Sequence, residues 1–220
     1  MFVFSNLAIS LDGKIATRKR NFLSLGTQED LKHMKKLRSQ CDGILMGATT
    51  LREFRKPCLS MKEGPHPANI VMTSSLEKFS TNWEYFQDKN LERIFFIGSG
   101  TSKLKIKEFS KYSELIFLRK NSPKHPLADQ IIDHLEKRGM KRLLIEGGGQ
   151  IMWNFVSRNW IDEYHVTLTP KILGGSLSPT LVDGHGFSPH EILRLTLKSC
   201  RVIKNELYLV YKRRLHRELI

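Results

Sequence analysis

Three short apolar runs in this chain end on glycine. Residues 43–47 read GILMG, residues 94–97 run into Gly98-Ser99-Gly100, and residues 142–145 pass through Glu146 into Gly147-Gly148-Gly149. Apolar runs this short, bounded by glycine, are strands buried on both faces, and such strands occur in parallel sheets covered by helices. The segments between them carry the helical period. Leu31, Met34 and Leu37 recur every three residues behind Gly26-Thr27, with Glu29 and Asp30 in the first turn, which predicts a helix over 29–40 with Thr27 as its N-cap. A short helix is expected from Ala48, another over 127–137 closed by Gly139 in a positive-φ conformation, and a third over 151–158. Further strands are expected at 2–10, 69–72, 114–118, 163–169, 192–198 and 206–211, with a Pro-rich loop at 56–67. This alternation predicts an α/β fold: a mainly parallel central sheet flanked by helices, with antiparallel C-terminal strands. No repeat or linker divides the chain, so residues 1–220 read as one domain.

In such sheets ligands lie outside the carboxyl ends of the strands, where all three glycine motifs fall. Gly147 to Gly149 have two readings. They form a tight strand-to-helix turn, or they let backbone approach a phosphate at the N–H groups of the following helix. The pattern is neither a Walker loop nor GxGxxG, since Trp153 and Asn154 occupy the later positions. Glu146 ends an apolar strand, and a partly buried carboxylate needs partners: the turn's own N–H groups, or those of a polar heterocycle. Asp12-Gly13-Lys14 is a turn signal, or a site where Lys14 offers a point charge to phosphate. By position alone Arg38 is an exposed helix arginine. His165, inside a strand, reads as a satisfied core residue rather than a ligand.

The formal net charge of +14 points to anionic partners: nucleic acid, membrane surface or phosphorylated small molecules. The basic residues fall in separate clusters, at 18–20, at Lys32, Lys35, Lys36 and Arg38, and at 212–214, the last placed on a C-terminal tail. No RNP, KH, zinc-finger or helix-turn-helix pattern accompanies them, so nucleic acid is not the expected partner. No run approaches the roughly 20 apolar residues of a membrane span, and the N-terminus lacks a signal-peptide pattern. Three cysteines without CxxC spacing fit a reducing cytoplasm. The eight histidines show no metal-ligand spacing, and GxSxG, HExxH and HxE…PCxxC are absent. Without a nucleophile, metal set or paired carboxylates, chemistry supplied by a cofactor gains weight.

Five stretches occur in one order: SNLAISLDGKIAT (5–17), DGILMGATTL (42–51), LLIEGGGQIMWNF (143–155), IDEYHVTLTPKILGG (161–175) and PTLVDGHGF (179–187). Together they resemble the riboflavin-pathway pyrimidine reductases, which share a fold with dihydrofolate reductase. The resemblance implies a stand-alone, homodimeric reductase that uses NADPH to convert 5-amino-6-(5-phosphoribosylamino)uracil to its ribitylamino product, with hydride delivered to the ribose C1′. It places cofactor contacts on Ala8, Leu23, Thr50, Ser74, Gly148, Gly149, Gln150, Ile151, Met152, Trp153 and Asn154. It places substrate contacts on Asn21, Arg38, Leu59 and Glu146. Arg38 would hold the substrate phosphate or its neighbourhood, and Glu146 would accept from the pyrimidine N–H groups. Asp12 and Lys14 belong to the shared motif and are expected to line the site; no catalytic side chain or metal ligand is implied. The basic surface favours NADPH over NADH. One departure stands out. After ATTL the family usually carries an acidic DDP, where this chain has Phe54, Arg55 and Lys56; Lys62 stands near the place of a family arginine, and Thr73 replaces the usual Asp before Ser74. This departure keeps a related reductase acting on another heterocycle as the alternative.

Overall fold

The computed structural model describes residues 1–19, 24–61 and 64–214. In chain order the elements are β1 (Phe2–Ser10), α1 (Gln28–Arg38), β2 (Gly43–Gly47), α2 (Ala48–Phe54), β3 (Ala68–Thr73), β4 (Arg93–Ile97), α3 (Lys103–Phe109), β5 (Glu114–Phe117), α4 (Leu127–Lys137), β6 (Arg142–Ile145), α5 (Gly149–Val156), β7 (Glu163–Thr169), β8 (Leu195–Ile203) and β9 (Glu206–Arg213). Among the described residues the strands form one sheet, ordered β5-β4-β3-β2-β6-β1-β7-β9-β8. Every neighbouring pair from β5 to β7 is parallel, while β9 runs antiparallel to both β7 and β8. This is the expected architecture, and its parallel part puts seven carboxyl ends on one edge.

Side-chain alternation sorts the sheet into two apolar layers. On one face Val3, Leu7, Leu45, Leu143 and Ile145 pack with Ile131, Ile132 and Leu135 of α4 and Met152 and Phe155 of α5. On the other, Phe4, Ile44, Met46, Phe95 and Leu144 pack with Leu37 of α1, Leu51 of α2 and Phe109 of α3. Two positions matter for the site. Ala8 follows Phe4 by four residues and Glu146 follows Leu144 by two, so both point to the α1 face at the carboxyl end.

Several local expectations need correction. Thr27 does precede α1, but it does not cap it: its hydroxyl and N–H both go to the Glu206 carboxylate, at 2.8 Å each. α5 begins two residues before the expected 151, because the Gly148 carbonyl already accepts the Met152 N–H at 3.0 Å. The strand expected at 192–198 lies instead at Leu195–Ile203, because pairing with β9 as a hairpin sets its extent, from Leu195 against Arg213 to Ile203 against Glu206. That pairing also takes Lys212 and Arg213 out of the supposed tail and into β9. α3 was not foreseen, since KLKIKEF has too few apolar residues to show a period; Ser102 caps it by accepting from Lys105 N–H. Gly139 does take positive φ, at 81°.

Candidate active site

The sheet order sets the frame. β4, β3, β2, β6 and β1 are consecutive neighbours, so Gly98, Ser74, Gly47, Gly147 and the Asp12 turn follow one another along the carboxyl edge. At about 4.8 Å per strand the row is about 19 Å long, room for an extended ligand. Tight backbone contacts hold it together. Gly47 N–H donates to the Gly147 carbonyl at 3.0 Å, and a Cβ on Gly98 would stand 2.7 Å from the Ser74 carbonyl oxygen. Gly147 sits at φ 81° with Leu7 where a side chain would go, and the Gly147–Gly148 peptide is cis. Gly148 faces only Ile15, at 3.5 Å from a notional Cβ, so its surface stays open. No side chain caps the first turn of α5. Bare glycine backbone beside uncapped N–H groups fits a dinucleotide cofactor, by the same physics that suits helix starts to phosphates.

Glu146 has a partner that its position did not suggest. Both of its oxygens are held by Arg38, Nε to Oε1 at 2.7 Å and Nη2 to Oε2 at 2.6 Å, in a bidentate pair whose side chains are only 10% and 9% exposed. Arg38 is thus a buried residue rather than the exposed helix arginine its position implied. Burial opposes its charge, but Glu146 outweighs that and moves the guanidinium pKa upward, so Arg38 stays charged. Its third arm, Nη1, donates to the Leu59 carbonyl at 3.4 Å, so Leu59 enters through its backbone.

Two contributors escape sequence reading. Asn69, fully buried in β3, accepts from Cys58 N–H at 2.8 Å and donates to its carbonyl at 3.0 Å, which fixes the loop that presents Leu59. Cys58 Sγ lies 3.8 Å from Glu146 Oε2; burial, then the charge of Glu146, pushes its thiol pKa up to about 12. A polar Asn inside the apolar run ANIVM was the one available signal.

Asp12 and Lys14 have structural partners. The Asp12 carboxylate accepts from Ser10 Oγ at 2.6 Å, Leu173 N–H at 3.1 Å and Gly174 N–H at 2.7 Å. Lys14 Nζ reaches the Ser178 carbonyl at 3.4 Å, and Ile15 N–H the Pro179 carbonyl at 3.0 Å. The segment so pinned carries Thr180 and Asp183, whose atoms would stand 2.5 Å from a Cβ on Gly149. Asp183 Oδ1 accepts from Thr180 N–H and Oγ1, at 2.9 and 2.8 Å, and Asp183 N–H returns to the Gly149 carbonyl at 3.1 Å. The hydrogen bond from Ser10 first, then those from Leu173 and Gly174, bring the Asp12 pKa from 3.8 to about 2. A depressed carboxyl pKa stabilises the fold above its unfolded value and loses that contribution as pH falls through the folded value. The melting temperature should therefore drop between about pH 4 and about pH 2, and more steeply than in Asp12→Asn. Parallel curves for the two proteins would remove the clamp.

The remaining expected residues divide. Thr50 on α2 is half-buried and Ser74 exposed, both at the row. The start of α5 lies at the row, and the Ile151 side chain packs against Gly47. Ile151 and Met152 are in the core, Trp153 packs against Phe187 with ring centroids 4.9 Å apart, and Asn154 lies a full turn in. Asn21, Leu23 and Lys62 lie outside the described residues. The basic residues that replace DDP turn outward: the Arg55 guanidinium stacks 5.5 Å over Trp83, and Lys56 Nζ pairs with Glu84 at 3.1 Å. A cavity of about 250 Å³ lies at the strand starts, away from the row, and one of about 640 Å³ lies between α5 and residues 180–195, beside the segment that meets Gly149.

A family model described as the RibD C-terminal domain matches residues 1–209. The 2,5-diamino-6-ribosylamino-4(3H)-pyrimidinone 5′-phosphate reductase of Archaeoglobus fulgidus is 27% identical over 216 residues, covering 93% of this chain and 92% of that one. A pyrimidine reductase-like protein of Corynebacterium diphtheriae has the same fold, with TM-score 0.81 at 20% identity, over 97% of this chain and 92% of its own. The dihydrofolate reductase of Enterococcus faecalis, solved with NADP(H), superposes with TM-score 0.53 at 13% identity, over 97% of each chain.

Proposed function

The chain belongs to the RibD C-terminal domain family, that of the pyrimidine reductases of riboflavin biosynthesis, and from that premise we propose that it is an NADPH-dependent reductase of a phosphoribosylamino-pyrimidine. The observation that carries the reading is the buried Glu146–Arg38 pair standing beside the glycine row. NADPH, when bound, supplies hydride for the ribose C1′. The chain's own share is to bind, orient and keep water out. Gly148, Gly149 and the first-turn N–H groups of Gln150 and Ile151 take the cofactor's phosphates, with Ala8, Thr50 and Ser74 along the row.

Glu146 keeps a lone pair on each oxygen beyond those given to Arg38. Those oxygens accept two adjacent pyrimidine N–H groups, while Arg38 holds the carboxylate in place. A 2-amino group next to N3–H offers such a pair of donors, and in the uracil N1–H beside the N–H on C6 offers another. The name of the Archaeoglobus relative favours 2,5-diamino-6-ribosylamino-4(3H)-pyrimidinone 5′-phosphate over 5-amino-6-(5-phosphoribosylamino)uracil as substrate. The same reading takes residues 1–220 as one unit, working as a homodimer in the cytoplasm.

NADPH consumption with each pyrimidine is the direct test, with dihydrofolate and a non-phosphorylated pyrimidine as controls for the alternative heterocycle. Turnover of the controls alone would replace the proposal. In Glu146→Gln, kcat/KM for the pyrimidine should fall on the order of 10²-fold, because a charged double acceptor is lost, while KM for NADPH stays within about twofold. A pyrimidine kcat/KM within about twofold of the parent would take Glu146 out of the substrate site.

A further inference from the structure

At the other end of the same strands, where β1, β6 and β7 begin, the cavity of about 250 Å³ opens on the α1 face. Four cations reach it: Lys36 from α1, Arg142 from β6, and Lys198 and Arg201 from β8. One carboxylate faces them, and it is already engaged: Glu163 holds Lys198 Nζ at 2.6 Å and lies 3.5 Å from His165 Nε2. Arg142 lies 4.6 Å over the Phe2 ring and donates Nε to the Gln40 carbonyl at 2.6 Å. Lys36 and Arg201 have no acidic partner among the described residues.

Two histidines complete the wall. His33 and His165 have ring centroids 6.2 Å apart, and Tyr208, bonded through its hydroxyl to Glu206, stands edge-on to His33 at 5.3 Å. His165 is not the satisfied core residue its strand position suggested: its Nδ1 is buried without a hydrogen-bond partner. A fold that collects four cations around a concave space against one engaged carboxylate, and leaves two of them unpaired, is short of an anion there.

We propose that this cavity is a second ligand site, separate from the glycine row, that takes the phosphate dianion of a small phosphomonoester or free phosphate. Lys36 and Arg201 supply the charge, with Arg142 and Lys198 beside them, and the His33 and His165 rings line the wall. The volume is below the roughly 300–1,000 Å³ of pockets that enclose drug-sized ligands and cofactors, so a dinucleotide does not fit and a phosphate on a compact body does. Without the anion, burial first, then the neighbouring positive groups, hold His33 at about 4, and burial likewise pulls His165 down against the upward effect of Glu163. An anion reverses that balance, so binding takes up protons at the imidazoles and tightens as pH is lowered to about 6, below which the ligand itself loses its second charge. The groups facing the pair are Lys36, Arg142, Glu163, Lys198, Arg201 and Tyr208.

Histidine-selective NMR on the full chain tests this, titrating inorganic phosphate and, separately, ribose 5-phosphate, with chloride as control. His33→Gln and His165→Gln assign the signals. The expected result is saturable movement of both imidazoles with either phosphate, tighter as pH is lowered to about 6, and none with chloride. Equal affinity for the two probes identifies free phosphate as the ligand, and tighter ribose 5-phosphate identifies a phosphomonoester. In the Lys36→Ala/Arg201→Ala chain affinity should fall on the order of tenfold or more, while pyrimidine turnover is unchanged. No saturable shift with either probe, or undiminished affinity in the double variant, overturns the proposal. The shifts are read at the strand starts, so failure of the reductase reading leaves this test standing.

Discussion

Replacing Arg38 by alanine should lower the stability of the folded chain by about 3–5 kcal/mol, the range seen when one member of a buried ion pair is removed. The reason is the group left behind. Glu146 is 9% exposed, and without the guanidinium its carboxylate keeps, among the described residues, only the weak Cys58 thiol at 3.8 Å. A carboxylate so placed must protonate or draw in water, and either disturbs the strand end. Urea denaturation of the parent and Arg38→Ala chains measures the loss; a difference below about 1 kcal/mol is the size of a surface pair and would mean the site is wetter than described. Arg38→Met combined with Glu146→Leu removes both charges and should recover most of the stability, as apolar replacement of whole buried pairs commonly does. That double variant should still fail to reduce the pyrimidine. Stability and turnover are thereby separated, and the pair can be judged as a binding device rather than a strut.

Gly149→Ala should lower kcat/KM with NADPH by about 10²-fold, the scale of a misplacement near 1 Å. The new methyl would stand 2.5 Å from both Asp183 Oδ2 and the Thr180 carbonyl oxygen. The carboxylate can rotate away, but the carbonyl is backbone, tied into the segment that Asp12 and Lys14 pin. The start of α5 must move instead, taking with it the N–H groups assigned to the cofactor. Gly139→Ala is the control for a general loss of stability. It sits at φ 81° with nothing within 4 Å of its Cβ, so it should cost about 1–2 kcal/mol for the left-handed backbone and leave kinetics unchanged. Comparable kinetic losses in both variants would mean that lost stability, rather than position at the cofactor row, sets the effect.

Much of this molecule was legible as a string. GILMG and RLLI could be little but buried parallel strands, and the glycines behind them had to fall on the carboxyl edge, because parallel strands share one. The helix at 127–137 was equally plain, since its apolar residues all serve one face. Legibility failed where a partner from elsewhere overrode a local rule. Thr27 had the chemistry of a cap and gave its hydroxyl to Glu206, 179 residues away. The end of β8 was set by β9, not by its own alternation.

The site divides along the same line. Residue types and short spacings determined that Glu146 ends a buried strand, that bare backbone follows it, and that a helix begins there. Only the tertiary structure decided that Arg38, 108 residues earlier, would meet that carboxylate with both arms, and that Asn69 would hold the loop that meets its third. It also decided that Asp12 would lock the segment lying against Gly149, and that histidines from α1 and β7 would share one cationic cavity. The physical reason is one of range. Periodicity fixes which way a side chain faces within its own strand or helix, whereas the partner it finds depends on which elements pack together, and that is settled by burying the whole apolar surface at once.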